Sequence, residues 1–172
     1  KYKNLIGIII ATSTNIRLKV IKKLYKLNLP LYIEKPLVTN FNDLKKINEL
    51  LIKNNIPIMV GYMTRYNELI NYFRKSSKKN LYYYHSHIGS DVRTWRKKRK
   101  FKSSYAANRK SGGVLFDLCH EIDIINFLFD DAVINSVYCL DHVKYKGVDF
   151  VTNVNFSTSS GIIGTIVLDY IS

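Results

Sequence analysis

The sequence predicts an α/β chain in two parts. A parallel sheet with crossover helices spans residues 1–66, and an α+β region with a mainly antiparallel sheet spans residues 67–172. Two observations predict it. Up to Tyr66, short apolar runs alternate with amphipathic stretches of helical period, joined by loops of a few residues. Strands separated by a helix connect through crossovers, so they run parallel. After Tyr66 the alternation stops. Three strand-like runs then end the chain, the last two joined by a turn at Ser159-Ser160-Gly161.

Leu5 to Ala11 carries no polar side chain and reads as a fully buried strand. Thr12 to Asn15 is a polar turn offering N-cap side chains. A helix is expected from about Ile16 to Leu27, with Ile16, Val20, Ile21, Leu24 and Leu27 on one stripe. Asn28 closes it, and Leu31-Tyr32-Ile33 makes the second strand. Asn40 caps another helix, with Phe41, Leu44, Ile47, Leu51 and Ile52 facing inward, and Pro57 precedes a third strand, Ile58 to Gly61. Ligands of such sheets gather at the carboxyl ends of the strands. Those ends are Ala11-Thr12-Ser13, Glu34-Lys35-Pro36 and Gly61-Tyr62.

In the second part Asn67 to Lys75 has a helical pattern, and Leu81 to Ile88 reads as a strand with Tyr83, His85 and His87 on one face. Ser90 to Ser111 is a long basic loop with the only tryptophan, and a loop of that length is functional or disordered. Gly112-Gly113 opens an apolar helix to about Phe129. Strands are expected at Val133–Leu140, Phe150–Phe156 and Ile162–Tyr170.

The apolar fraction of 47% and charged fraction of 23% describe a globular chain and exclude a disordered one. No apolar run approaches the roughly eighteen residues of a membrane span, so no membrane association is expected. Lys1 to Ser13 imitates a signal peptide, but no small-residue cleavage site follows and a helix pattern begins at once. A buried strand accounts for it better. The first residue is not Met, which fits a chain that begins mid-protein. Cys119 and Cys139 lack the spacing and neighbours of a zinc site, so no metal is expected. Two lone cysteines fit small hydrophobes in a reducing cytoplasm. The net charge of +14 comes from lysines spread along the chain among many Asn and Ile residues, a pattern of biased genome composition. Its positive field attracts anions such as nucleotides.

Two segments carry candidate chemistry. Pro36 stops a strand and holds Lys35 extended toward the crevice, where an ammonium can bond a substrate hydroxyl and stabilise charge as hydride leaves. Asp117, His120 and Glu121 lie three and four apart on one side of the apolar helix. Asp117 can orient the imidazole while His120 takes a proton from an alcohol. Each also has a plainer reading: a solvated surface lysine, an acid favouring the helix dipole, a satisfied core histidine.

Four segments in order resemble the Gfo/Idh/MocA family of oxidoreductases: Ile10-Ala11-Thr12-Ser13-Thr14, Glu34-Lys35-Pro36-Leu37, Gly61 to Asn67, and Gly112 to Asp123. The connecting helices have the right lengths too. The resemblance implies the C-terminal half of a Rossmann parallel sheet, then an incomplete α+β substrate domain with a mainly antiparallel sheet. It implies hydride transfer between NAD or NADP and a secondary alcohol of a sugar or sugar-nucleotide-like substrate. By the same resemblance Lys35, His120 and Asp117 are catalytic. Ala11, Thr12, Ser13, Asn15, Glu34 and Lys35 touch the dinucleotide, and Tyr62, Arg65, Asn67, Trp95, Arg96, Tyr105 and His120 line the substrate cleft. The parent protein is then expected to be a cytoplasmic homo-oligomer.

This sequence departs from the family in several places. The glycine-rich fingerprint of a dinucleotide fold is absent and is expected upstream of Lys1. Ser111 stands where many members have a third glycine, Cys119 replaces a serine, and Lys100-Phe101-Lys102 stands for a more usual Asp-Tyr-Arg. An inactive truncated relative is therefore an alternative. A nucleic-acid binder using the basic loop from Trp95 to Lys102 is a more distant one, since a solvated loop explains that loop better and no nucleic acid is expected.

Overall fold

Ile8–Ile10, Leu31–Ile33 and Ile58–Val60 (β1, β2 and β3) pair side by side in that order, all parallel. They belong to the first of two units, divided between Tyr62 and Met63, in a computed structural model that describes residues 4–76, 78–94 and 100–172. Two helices cross over between the strands, Thr14–Leu24 (α1) and Phe41–Lys53 (α2). Ile21, Ile47 and Leu51 from these helices close on Ile10, Leu31, Ile33 and Ile56. Asn40 caps α2 as its sequence predicts, its side chain accepting the Asp43 N–H at 2.9 Å.

The expected burial holds on one face only. Ile9 is 76% exposed and Tyr32 and Met59 are exposed as well, because successive strand residues point to opposite faces and α1 and α2 pack on the face of Ile10, Leu31 and Ile33. β1 is thus half-buried. Leu27, Phe41 and Ile52 also point outward, leaving the helical stripes narrower than periodicity suggested.

In the second unit Glu68–Lys75 forms α3, and four strands form a sheet in the order β4-β7-β6-β5: Tyr83–Gly89 (β4), Val133–Asp141 (β5), Asp149–Ser157 (β6) and Ile163–Asp169 (β7). β5, β6 and β7 are antiparallel neighbours, and Gly161 turns the last hairpin at φ 88°. β4 instead lies parallel to β7, with His85 opposite Thr165. Phe156, Ile166 and Leu168 from one face meet Val114, Ile125 and Leu128 in the core. Alternate residues, among them Tyr83, Tyr138 and Ile163, stay exposed on the other.

The single apolar helix expected from Gly113 is two: Val114–Asp117 (α4) and His120–Leu128 (α5), broken at Leu118, whose ψ of 26° is not helical. Tertiary bonds pin α4 where it lies. The Asp149 carboxylate accepts the Leu115 N–H at 2.9 Å, and a Cβ on Gly113, which has φ 93°, would fall 1.8 Å from the same carboxylate.

At the far end of β7 the buried Asp169 accepts from His87 Nε2 at 2.6 Å, from Ser172 Oγ, and from the N–H groups of Ile171 and Ser172. Burial alone would raise this carboxyl, but the bonds from His87, Ser172 and the two N–H groups outweigh it and hold the pKa at about 2, below the ordinary 3.8. A depressed carboxylate stabilises the fold above its unfolded pKa. Stability measured in urea should therefore fall as pH drops from about 4 toward 2, and Asp169→Asn should remove that part of the fall. An unchanged acid limb in the variant would refute the assignment.

Candidate active site

One group of candidate residues sits at two neighbouring strand ends of the first unit. β1 runs into Ala11-Thr12-Ser13 and β2 into Glu34-Lys35-Pro36, and because β1 pairs with β2 these loops emerge side by side. The Glu34 N–H donates to the Ile10 carbonyl at 2.9 Å and carries the ladder past β2. Lys35 is half-buried and joins Pro36 through a cis peptide bond. Ser13 takes the N-cap position of α1 without a side-chain cap bond, and Asn15 lies exposed in the first turn. Thr12 Oγ1 is buried and meets no hydrogen-bond partner among the described residues.

Arg17 ties these two loops together. Its guanidinium donates to the Thr12 carbonyl at 2.5 Å and to the Pro36 carbonyl, and the side chain is only 1% exposed. Burial lowers its pKa, opposed by the Glu34 carboxylate. Arg17 belongs to none of the motifs legible in the sequence. A signal was present, since Arg17 shares helical spacing with Ile21 and Leu24 on the buried stripe.

The second unit gathers another set around α4 and α5. Asp117 ends α4, is buried, and accepts the Tyr105 hydroxyl at 2.6 Å on one oxygen and the Tyr170 hydroxyl at 3.0 Å on the other. Two O–H donors satisfy a carboxylate withdrawn from water. Burial, followed by the Asp117 charge, raises the Tyr170 pKa, so Tyr170 stays a donor. His120, half-buried, opens α5 just beyond the break. The acids that follow it are engaged: Glu121 accepts the Ser86 hydroxyl at 2.6 Å, and Asp123 takes a two-pronged bond from Arg65 at 2.7 and 2.5 Å.

The structure thus places the remaining expected residues unevenly. Tyr105 stands on Asp117. Arg65 braces α5 through Asp123 and lies 5.2 Å over the Phe127 ring. Asn67 caps α3, accepting from the N–H groups of Leu69 and Ile70. Tyr62, half-buried, follows β3 in the first unit. Trp95 and Arg96 lie outside the described residues. Cys119 sits at the α4–α5 break, and Cys139 is exposed on β5 rather than serving as a core hydrophobe. Among the described residues no His, Cys, Asp and Glu cluster has the makings of a metal site, and no helix is long and apolar enough to cross a membrane.

Removing Arg65 would leave Asp123, 7% exposed, as an unmatched buried charge. Arg65→Ala should cost about 2–3 kcal/mol, below the range for fully buried pairs because the guanidinium is half exposed. Adding Asp123→Leu should restore part of it. Thermal unfolding of the single and double variants checks this, and equal losses in both would oppose it.

Residues 79–153 match the C-terminal alpha/beta domain of an oxidoreductase family. An uncharacterized oxidoreductase of Streptococcus pneumoniae is 21% identical over 143 residues, covering 83% of this chain and 39% of that protein. The WlbA dehydrogenase of Bordetella pertussis, solved with NADH and UDP-GlcNAcA, superposes with a TM-score of 0.85 at 12% identity over 99% of this chain and 50% of its own. An inositol dehydrogenase homolog from Azotobacter vinelandii, complexed with NAD+, superposes with a TM-score of 0.84 at 14% identity over 100% of this chain and 47% of its own. The chain spans half or less of the length of these relatives.

Proposed function

We propose that this chain is a member of the Gfo/Idh/MocA family of oxidoreductases and that its parent protein oxidises or reduces a secondary alcohol of a sugar or sugar nucleotide with NAD or NADP. The observation that carries the reading is the pair of strand-end loops bound together by buried Arg17, which presents Thr12, Ser13, Glu34 and Lys35 where parallel sheets bind ligands. The dinucleotide fits this end by its chemistry. The unmet Thr12 hydroxyl and the polar groups of Ser13, Asn15 and Glu34 match a ligand rich in hydroxyl and amide groups. When bound, the nicotinamide supplies the site that gives or takes the hydride.

The chain's own residues orient the substrate and move a proton. Lys35 binds the reacting oxygen and stabilises negative charge on it. His120 accepts the alcohol proton at a ring nitrogen during oxidation and returns it during reduction. Asp117, fixed by its two tyrosine hydroxyls, lies three residues ahead of His120 and belongs to the acid–base side of the proposal. Tyr62, Arg65, Asn67, Trp95, Arg96 and Tyr105 belong to the substrate side of the proposal, and a cytoplasmic location goes with it. The exposed sheet face carrying Tyr138 and Ile163 supports association into a homo-oligomer.

The test is turnover by the full-length protein, followed by nicotinamide absorbance, with NAD and NADP against a broad panel of sugars and nucleotide sugars. Activity on at least one is expected. Its absence across the panel, together with no quenching or enhancement of NADH fluorescence, would overturn the proposal.

A further inference from the structure

A cavity of about 360 Å³ opens in the second unit between the chain at Asp91–Arg93 and the connection from β5 to β6. Its walls are aromatic. Phe101 meets Tyr145 edge-on at 4.8 Å and Phe150 at 5.1 Å, and Tyr170 stands 5.5 Å from Phe150 at a near right angle. Phe150 and Tyr170 are buried in the core, and the Tyr170 hydroxyl is anchored on Asp117. That part of the wall is therefore rigid.

The charged and imidazole side chains at this cavity are Asp91, Arg93, His142 and Lys144. Asp91 and Arg93 neutralise each other through bonds of 2.7–2.9 Å, so among the described residues lining the cavity the exposed Lys144 ammonium is the cation outside that pair. His142 packs its ring 4.8 Å from Phe150 and accepts the Lys144 N–H at Nδ1, which leaves Nε2 as the donor. An uncharged aliphatic ligand would gain nothing from the ammonium, an aliphatic anion would leave the rings without a stacking partner, and a bare sugar would find mostly ring edges. A planar ring with an anionic group satisfies both halves, since aromatic side chains stack bases irrespective of sequence and lysine pairs with phosphate.

We propose that this cavity binds a nucleoside phosphate, with the base among Phe101, Tyr145 and Phe150 and the phosphate at Lys144. The cavity is lined by none of the residues assigned to hydride transfer, so nucleotide binding here and nicotinamide turnover can fail separately. A nucleotide here has two sources: the nucleotide portion of a substrate, or a free nucleotide acting as effector.

Calorimetric titration of the full-length protein without nicotinamide, using UDP, ADP and GDP, with uridine, adenosine, guanosine and inorganic phosphate as controls, tests the site. At least one nucleotide should bind about ten-fold or more tightly than its nucleoside or phosphate alone, because two contacts act together. Lys144→Glu, on the exposed rim, should weaken that nucleotide about ten-fold while sparing its nucleoside, whereas Tyr145→Ala should weaken both. Binding no tighter than that of phosphate, or nucleotide affinity within about two-fold of wild type in Lys144→Glu, would overturn the proposal. Competitive inhibition of sugar-nucleotide turnover by the bound nucleotide would identify a substrate portion. A change in turnover without competition would identify an effector.

Discussion

Replacing His120 by alanine in the full-length protein is expected to lower kcat by about 10²–10⁴-fold, the usual loss on removing a general acid or base. Affinity for the nicotinamide should change little, because His120 opens α5 in the second unit while the proposed dinucleotide residues lie in the first. In the proposed reaction the proton transfer is needed only as the alcohol reacts, so the loss should fall on kcat rather than on KM. The limb of the kcat–pH profile that reports the acid–base group should disappear with the imidazole. Steady-state kinetics across pH checks both points, and thermal unfolding of the variant confirms that the half-buried side chain was not holding the fold. A kcat within about three-fold of wild type, far below the usual loss, would remove His120 from the chemistry.

Asp117→Leu should lower stability by about 3 kcal/mol, or roughly 10 °C in Tm, through the loss of a charged acceptor shared by two hydroxyls. The Tyr170 hydroxyl, fully buried, would be left without Asp117, and the Tyr105 hydroxyl with it. Tyr170→Phe should cost only about 1 kcal/mol, since it removes one neutral donor and leaves Asp117 its bond to Tyr105. If the two residues act through their shared bond, the double variant loses less than the sum of the singles. Additive losses, or an Asp117→Leu protein that melts within about 2 °C of wild type when several were expected, would refute the arrangement. Because the Tyr170 ring also walls the cavity beside Phe150, the phenylalanine variant should leave nucleotide binding there intact.

Much of the fold was legible in local pattern. Alternating strands and helices, the Asn40 cap, the Gly161 turn and the periodicity of Tyr83, His85 and His87 each depend on neighbours a few residues away, and each appears in place. The strand ends carrying Thr12, Ser13, Glu34 and Lys35 were legible for the same reason. The partners of Arg65 and Tyr105 were not. Asp123 and Asp117 become acceptors only once distant segments pack, and no spacing in the sequence announces that.

What the sequence by itself determined is the order of the elements, the parallel pairing of the first three strands, and which short segments hold candidate chemistry. Backbone propensity, side-chain period and capping act over a turn or two of chain, so they survive without any fold around them. Only the tertiary structure decided that Arg17 is buried between two loops, that β4 runs parallel to β7, and that the helix of Asp117 and His120 breaks at Leu118. Each outcome turns on contacts made only once separate segments pack: the Arg17 guanidinium on the Pro36 carbonyl, the ladder between β4 and β7, and the Asp149 carboxylate on the Leu115 N–H. The energy of satisfying buried polar and backbone groups outweighs the few tenths of a kcal/mol by which local propensities differ.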